Sequence, residues 1–111
     1  MRYMLLIYND ETLDTQPDLT PWMEYTKQVQ EAGCYEAGAG LLPTATATTV
    51  RVRDGGRVVT DGPFAETKEQ LGGYYILNCA DLDEALKWAA QIPSVGAGSV
   101  EVRPVFEPPQ A

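Results

Sequence analysis

Hydrophobic residues recur with two different periods along this chain, and the changes of period separate predicted strands from predicted helices. Short apolar or alternating runs predict four principal strands, at residues 2–8, 34–42, 73–79 and 99–105. Helical spacing predicts two helices. The first begins with Thr20 as N-cap and Pro21 at the first helical position, and it ends at Gly33. The second begins with the capping box Asp81-Leu82-Asp83-Glu84 and ends before Pro93. Its predicted buried stripe is Leu82, Ala85, Leu86, Ala89 and Ile92.

A β-hairpin is predicted between the second and third principal strands. Residues 46–53 and 57–60 flank Asp54-Gly55-Gly56, which is a turn signal. The register stays open: a three-residue loop would set Val52 opposite Val58, but it would also set Arg53 opposite Arg57. Without the hairpin, the element order is that of a ferredoxin-like βαββαβ domain. The predicted fold class is therefore α+β, ferredoxin-like with an inserted β-hairpin.

The first and third principal strands are apolar on both faces. In the first strand, one face carries Tyr3, Leu5 and Ile7, and the other carries Met4, Leu6 and Tyr8. The last strand alternates instead, with Val100 and Val102 against Glu101 and Arg103. Strands with two apolar faces belong in the centre of a sheet, as the ferredoxin-like order requires. Two helices cover one sheet face only, so a second copy of the chain or a bound ligand is expected to cover the other.

Length and charge limit the class of protein. The 111 residues fit one domain, predicted as residues 1–106, with residues 107–111 as a loose C-terminal tail. Eight basic and sixteen acidic residues give a net charge of −8, which argues against binding to nucleic acid or to an anionic membrane surface. The first apolar run is too short for a signal peptide or a membrane span, so a cytoplasmic location is expected.

Histidine is absent from the sequence, which removes the commonest general base near neutral pH and the commonest metal ligand. The two cysteines, Cys34 and Cys79, lack metal-type spacing and are expected to be free thiols. No glycine-rich phosphate-binding motif follows a strand. We therefore expect no metal site and no cofactor.

The segment Asp61-Gly62-Pro63-Phe64-Ala65-Glu66-Thr67-Lys68-Glu69 concentrates the candidate chemistry, and residues 61–69 are called the signature segment below. Pro63 restricts Gly62 and is suited to open a helical turn after it. The Asp61 carboxylate is placed either to accept backbone N–H groups of that turn or to face a ligand. Lys68 is a candidate anchor for an anion. Arg51 and Arg53 share a strand face that could bind a carboxylate or simply face solvent.

The chain resembles the DGPF group of the YciI-like (YCII-related) family. The resemblance is carried by Asp61-Gly62-Pro63-Phe64, Tyr3-Met4-Leu5-Leu6-Ile7-Tyr8, Thr44-Ala45-Thr46-Ala47-Thr48-Thr49-Val50-Arg51, Asp81-Leu82-Asp83-Glu84-Ala85 and Val100-Glu101-Val102-Arg103-Pro104. It implies a dimeric α+β barrel. It also implies an acidic site residue after the first strand, which Asp10 matches. The family's partner histidine on the first helix has no counterpart here, and Tyr25 lies in about that region.

Two functions follow as expectations. The first is a small-molecule-binding protein or cofactor-free enzyme with a pocket between sheet and helices, and whether it is an enzyme is left undecided. Its candidate catalytic residues are Asp61 and Asp10, and its candidate ligand-binding residues are Tyr8, Arg51, Phe64, Lys68 and Tyr25. The alternative, suggested by the resemblance, is a non-enzymatic sensing or accessory module linked to extracytoplasmic-function sigma factors. The expected partners are a second copy of the chain and a small-molecule ligand.

Overall fold

A computed structural model of the protein describes residues 1–13 and 18–109. Its strands are β1 (Arg2–Asn9), β2 (Tyr35–Gly40), β3 (Thr48–Arg53), β4 (Gly56–Asp61), β5 (Gln70–Asn78) and β6 (Ser99–Pro104). Its helices are α1 (Thr20–Glu31) and α2 (Leu82–Ala89), and single 3-10 turns lie at Glu11–Leu13 and Thr44–Thr46. No helical turn follows Pro63, contrary to the sequence-based expectation. No helix within the described ranges is long and apolar enough to cross a membrane.

Four strands form one antiparallel sheet in the order β2-β5-β1-β6. The two strands that the sequence predicts to be central, β1 and β5, are central. Their register places Leu5 opposite Tyr75 and Tyr3 opposite Leu77. The structure is therefore an α+β domain with a mostly antiparallel sheet and two helices, and it is compatible with a ferredoxin-like fold.

The two helices begin in different ways. At α2 the prediction of an N-cap is confirmed, because the Glu84 N–H donates to Asp81 Oδ1 at 3.0 Å. At α1 the prediction is wrong: Thr20 is already helical, and its N–H donates to Asp18 Oδ1 at 3.0 Å. The Thr20 hydroxyl was expected to accept a hydrogen bond from the first turn of the helix. Instead, the carboxylate of Asp18, two residues upstream, accepts the hydrogen bond of the Thr20 N–H, which is one of the unpaired donors at the helix start.

The hydrophobic core lies between the helices and one face of the sheet. Its largest fully buried side chains are Leu5, Leu77, Ile92 and Val29. From α2, the small residues Ala85 and Ala89 face this core. Leu82 and Leu86, which the helical stripe predicted to be buried, are 48% and 47% exposed, because they flank the alanine face instead of lying on it.

The other face of the sheet has no layer packed on it within the described residues. Its half-buried apolar side chains, called the open face below, are Met4, Leu6, Tyr8, Tyr74 and Ile76. The molecule measures 18 Å along its shortest axis, which leaves room for one sheet and one layer of helices. The apolar character of both faces of β1 and β5 is thus used on one side only.

Strands β3 and β4 form a separate two-stranded ladder. A two-residue turn joins them, with Asp54 at φ 53° and Gly55 at φ 75°, which matches the two positive φ angles of a type I′ turn. Val50 consequently lies opposite Val59, and Val52 lies opposite Arg57. The three-residue loop considered from the sequence is therefore wrong, and the register it implied does not occur.

Candidate functional site

A cleft of about 900 Å³ lies between α1, one end of the four-stranded sheet and the segments that follow β1 and β2. Its volume falls in the range of small-molecule sites in proteins. The walls are mostly apolar and aromatic, and they include Ile7, Trp22, Tyr35, Leu41, Tyr75 and Pro93. The cleft opens on the helix side of the sheet, since Ile7 and Tyr75 also belong to the core there.

Glycines of β2 and β5 line the cleft where it meets the sheet, but they differ in the space around them. At Gly73 a Cβ would lie 2.8 Å from the Ala39 carbonyl oxygen, so the two backbones could not keep their spacing. At Gly38 a Cβ would lie 2.9 Å from Cδ1 of Tyr75. At Gly40, by contrast, a Cβ would meet no atom within 4 Å. Gly40 is thus the position where a side chain would enter the cleft freely.

A pair of hydroxyl groups provides a hydrogen-bonding site in the otherwise apolar wall of the cleft. Thr26 Oγ1 and the Tyr75 hydroxyl oxygen are 2.6 Å apart, and either can donate to the other. Both residues line the cleft. Only one of the two O–H groups is used between them, and neither has another hydrogen-bond partner among the described residues. The pair can therefore offer a ligand one hydrogen-bond donor as well as acceptor lone pairs.

Asp10 lines the cleft at the exit of β1. Its Oδ1 accepts hydrogen bonds from the Thr12 hydroxyl at 2.6 Å and the Thr12 backbone N–H at 2.9 Å. These two bonds, helped by the positive charge of Lys68, lower the pKa of Asp10 below its ordinary value. Asp10 therefore closes a turn and stays ionised at neutral pH, with its second oxygen free of protein donors among the described residues.

Two further carboxylates give the cleft a negative charge. Glu11 accepts hydrogen bonds from the Thr44 backbone N–H at 2.8 Å and from its hydroxyl at 2.7 Å, which ties the segment after β1 to the segment after β2. Hydrogen bonds from Thr20, first its backbone N–H, lower the pKa of Asp18. No lysine or arginine lies among the described residues that line the cleft. The sequence of residues 14–17 contains none either.

Two predicted ligand-binding tyrosines lie outside this cleft. The Tyr8 hydroxyl donates to Glu101 Oε1 at 3.2 Å on the open face. Its pKa is raised, first by desolvation and then by the charge of Glu101. Tyr25 is buried, and its hydroxyl donates to the Trp88 carbonyl at 2.8 Å, so it joins α1 to α2. Burial raises the pKa of Tyr25 strongly, which keeps this hydroxyl protonated.

The signature segment contacts the hairpin and not the cleft. Gly62 has φ 101°, and its N–H donates to the Ala47 carbonyl at 2.7 Å, which explains the glycine at this position. Arg51 Nη2 donates to the Phe64 carbonyl at 3.1 Å, while the Phe64 side chain is 78% exposed. The Asp61 carboxylate accepts no hydrogen bond from the described residues, so the expected bonds to the following turn are not formed.

Of the seven predicted site residues, only Asp10 lines the large cleft. Lys68 is close enough for its charge to act on Asp10, although it does not line the cleft itself. The structure adds Trp22, Thr26 and Tyr75, which the sequence analysis treated as helix and strand residues only. The nearest signal in the sequence is the group of glycines Gly38, Gly40 and Gly73, which line the same cleft. No group of three or more Cys, Asp or Glu suited to a metal occurs in the described part of the chain.

The fold and the cleft define a small α+β domain with one prominent small-molecule-sized cleft. The model of the YCII-related domain matches residues 1–108, and the chain belongs to that family. It is also 40% identical over 114 residues to the uncharacterised protein R00369 of Rhizobium meliloti (strain 1021), which covers 95% of this chain and 92% of that protein. The name of this relative assigns it no activity.

Proposed function

We propose that this protein binds a small molecule in the cleft between α1 and the sheet. The observation that carries the proposal is a cleft of about 900 Å³ beside aromatic walls, with Gly38, Gly40 and Gly73 among its lining residues and open space at Gly40. An unfilled space of this size forgoes packing contacts that larger side chains would supply. A sequence that brings glycines to this end of two strands is better suited to admitting a ligand than to completing a core.

The chemistry of the cleft favours an apolar ligand that is neutral or positively charged. Three carboxylates, those of Asp10, Glu11 and Asp18, surround it without a cationic side chain among its described lining residues. Their field raises the free energy of an anion in the cleft and lowers that of a cation. Aromatic walls add attraction for a cation over a ring face. The hydroxyl pair of Thr26 and Tyr75 would bind one polar group of the ligand.

Binding is better supported than proton transfer. A general base needs a pKa near the working pH, and the hydrogen bonds to Asp10 shift its pKa the other way. Asp61, the other candidate catalytic residue, is not among the residues that line the cleft. We therefore assign Asp10 to ligand recognition and propose no reaction for this site.

We further propose that the protein acts as a homodimer through its open face, in a dimeric α+β barrel. The half-buried Met4, Leu6, Tyr74 and Ile76 form an apolar centre, and Arg103 and Glu101 of β6 lie beside Met4 and Leu6. A two-fold axis brings such a face against itself, which buries the apolar centre and lets opposite charges at its edge meet.

A stabilisation screen with charge-matched ligands tests the binding proposal. Straight-chain primary amines, alcohols and carboxylates of equal length are added separately, and the midpoint of thermal unfolding is measured for each. A ligand at one hundred times its Kd should stabilise the folded state by about 2.7 kcal/mol. We expect stabilisation by the amine or the alcohol and a weaker effect of the carboxylate. A metabolite library that includes these series and stabilises nothing would contradict the proposal.

A further inference from the structure

The hairpin arm, defined as residues 48–61, extends from the body of the molecule as a structure of its own. Its strands β3 and β4 pair with each other in a separate two-stranded sheet. The radius of gyration is 16.2 Å, whereas a compact chain of this length has about 13 Å. An isolated two-stranded hairpin is at best marginally stable in water. The arm therefore lacks the packing that normally holds a hairpin in place.

The two faces of the arm differ. The register puts Val50, Val52 and Val59 on one face, called the valine face, and these side chains are 61%, 65% and 53% exposed. The opposite face is turned to the signature segment, because Arg51 donates to the Phe64 carbonyl at 3.1 Å. The valine face is thus the side of the arm that its own chain leaves bare within the described residues.

Charge separates the arm from the rest of the chain. The arm carries three arginines, Arg51, Arg53 and Arg57, against two aspartates, Asp54 and Asp61. Of eight basic and sixteen acidic residues in the whole chain, five basic and fourteen acidic residues remain for the other segments. A net positive arm on a strongly negative protein is attracted to the body of another molecule of the same kind.

We propose that the valine face of the arm packs against the body of a second copy of this chain. The apolar strip supplies the buried contact, and Arg57, which the register places on the same face opposite Val52, supplies attraction to the acidic body. In a two-fold dimer each arm would make the same contact on its partner, so the arm contact contributes twice to the free energy of dimer formation. This inference rests on the self-association proposed above, and it adds a contact outside the open face.

Two neighbouring valines on opposite faces of β4 provide a matched test. Val59 lies on the valine face and Val58 on the face turned to the signature segment, with exposed fractions of 53% and 43%. Val59→Thr and Val58→Thr make the same change of a methyl group to a hydroxyl group. The dimer dissociation constant of each variant is measured by sedimentation velocity over a dilution series, with circular dichroism to confirm folding.

We expect Val59→Thr to raise the dimer dissociation constant about thirtyfold or more, because two unpaired hydroxyl groups are buried per dimer. Val58→Thr should raise it less than about threefold. Equal effects of the two variants in a dimeric protein overturn the arm contact and leave the open-face dimer standing. A wild-type protein that is monomeric at all concentrations overturns both.

Hydrogen exchange of the wild-type protein gives a second readout that needs no variant. If the arm packs on a partner, the amide groups hydrogen-bonded between β3 and β4 should exchange more slowly as protein concentration rises through the dimer dissociation constant. Exchange of arm amides that is independent of concentration, while the open-face strands become protected, overturns the inference. Ligand binding in the cleft is unaffected by either result.

Discussion

Gly40→Val is expected to close the candidate ligand cleft without harming the fold. A Cβ at Gly40 meets no atom within 4 Å, and Gly40 ends β2 and lines the cleft. Glycine within a strand costs roughly 0.5–1 kcal/mol relative to alanine. The free energy of unfolding should therefore be unchanged or higher by up to about 1 kcal/mol. The variant places three carbon atoms in space that the ligand would occupy.

The expected loss of affinity follows from those three carbon atoms. If the ligand gives up an equal apolar volume, at about 0.8 kcal/mol per buried methylene, the loss is about 2.4 kcal/mol, or about fiftyfold in Kd. Isothermal titration of a ligand found by the stabilisation screen measures this. Gly96→Val is the control, because a Cβ there also meets no atom within 4 Å and Gly96 does not line the cleft. Equal affinity of Gly40→Val and wild type would refute the placement of the ligand.

Three further predictions concern stability, measured by chemical denaturation. Gly73→Ala should lower the free energy of unfolding by about 1–3 kcal/mol, because the new Cβ would lie 2.8 Å from the backbone oxygen of Ala39. A loss below about 0.5 kcal/mol would contradict the close approach of β2 and β5. Asp61→Asn should change stability by less than about 0.5 kcal/mol, because the carboxylate is exposed and accepts no bond from the described residues, and a larger loss would reveal a structural role. Hydrogen bonds from Thr12 hold the pKa of Asp10 below its ordinary value of 3.8. The wild type should therefore have a higher free energy of unfolding than Asp10→Asn above pH 3.8, and this difference should be lost as the pH falls through the lowered pKa of Asp10. A difference between these two proteins that does not shrink as the pH is lowered from 3.8 would contradict this.

The central strands of the sheet could be predicted because side chains of a strand alternate between its two faces, so the polarity of each face can be read from the sequence. Both faces of β1 and β5 are apolar, a pattern that is typical of central strands, and both strands are central in the sheet. The N-cap at Asp81 was equally readable, since the capping box is a local signal. The prediction of an N-cap at Thr20 failed because the structure places Thr20 inside the helix, where its N–H donates to Asp18 Oδ1.

The site could be predicted only in part because it depends on distances between elements. Asp10 was found from its place after a strand and from the family resemblance. Thr26 and Tyr75 are 49 residues apart in the sequence, and no local sequence pattern predicts the hydrogen bond between them. In the signature segment, Gly62 has a backbone role at φ 101°, and the proposed site roles of Asp61, Phe64 and Lys68 stay predictions.

The most direct test of the binding proposal is to observe where a ligand sits. Amide chemical shifts of isotopically labelled protein are followed by NMR while the best ligand of the screen is titrated. We predict saturable shifts at Gly38, Gly40 and Gly73 and in α1 around Trp22 and Thr26, with little change in the valine face of the arm. Shifts that map to the open face, or that never saturate, would contradict a ligand site between α1 and the sheet.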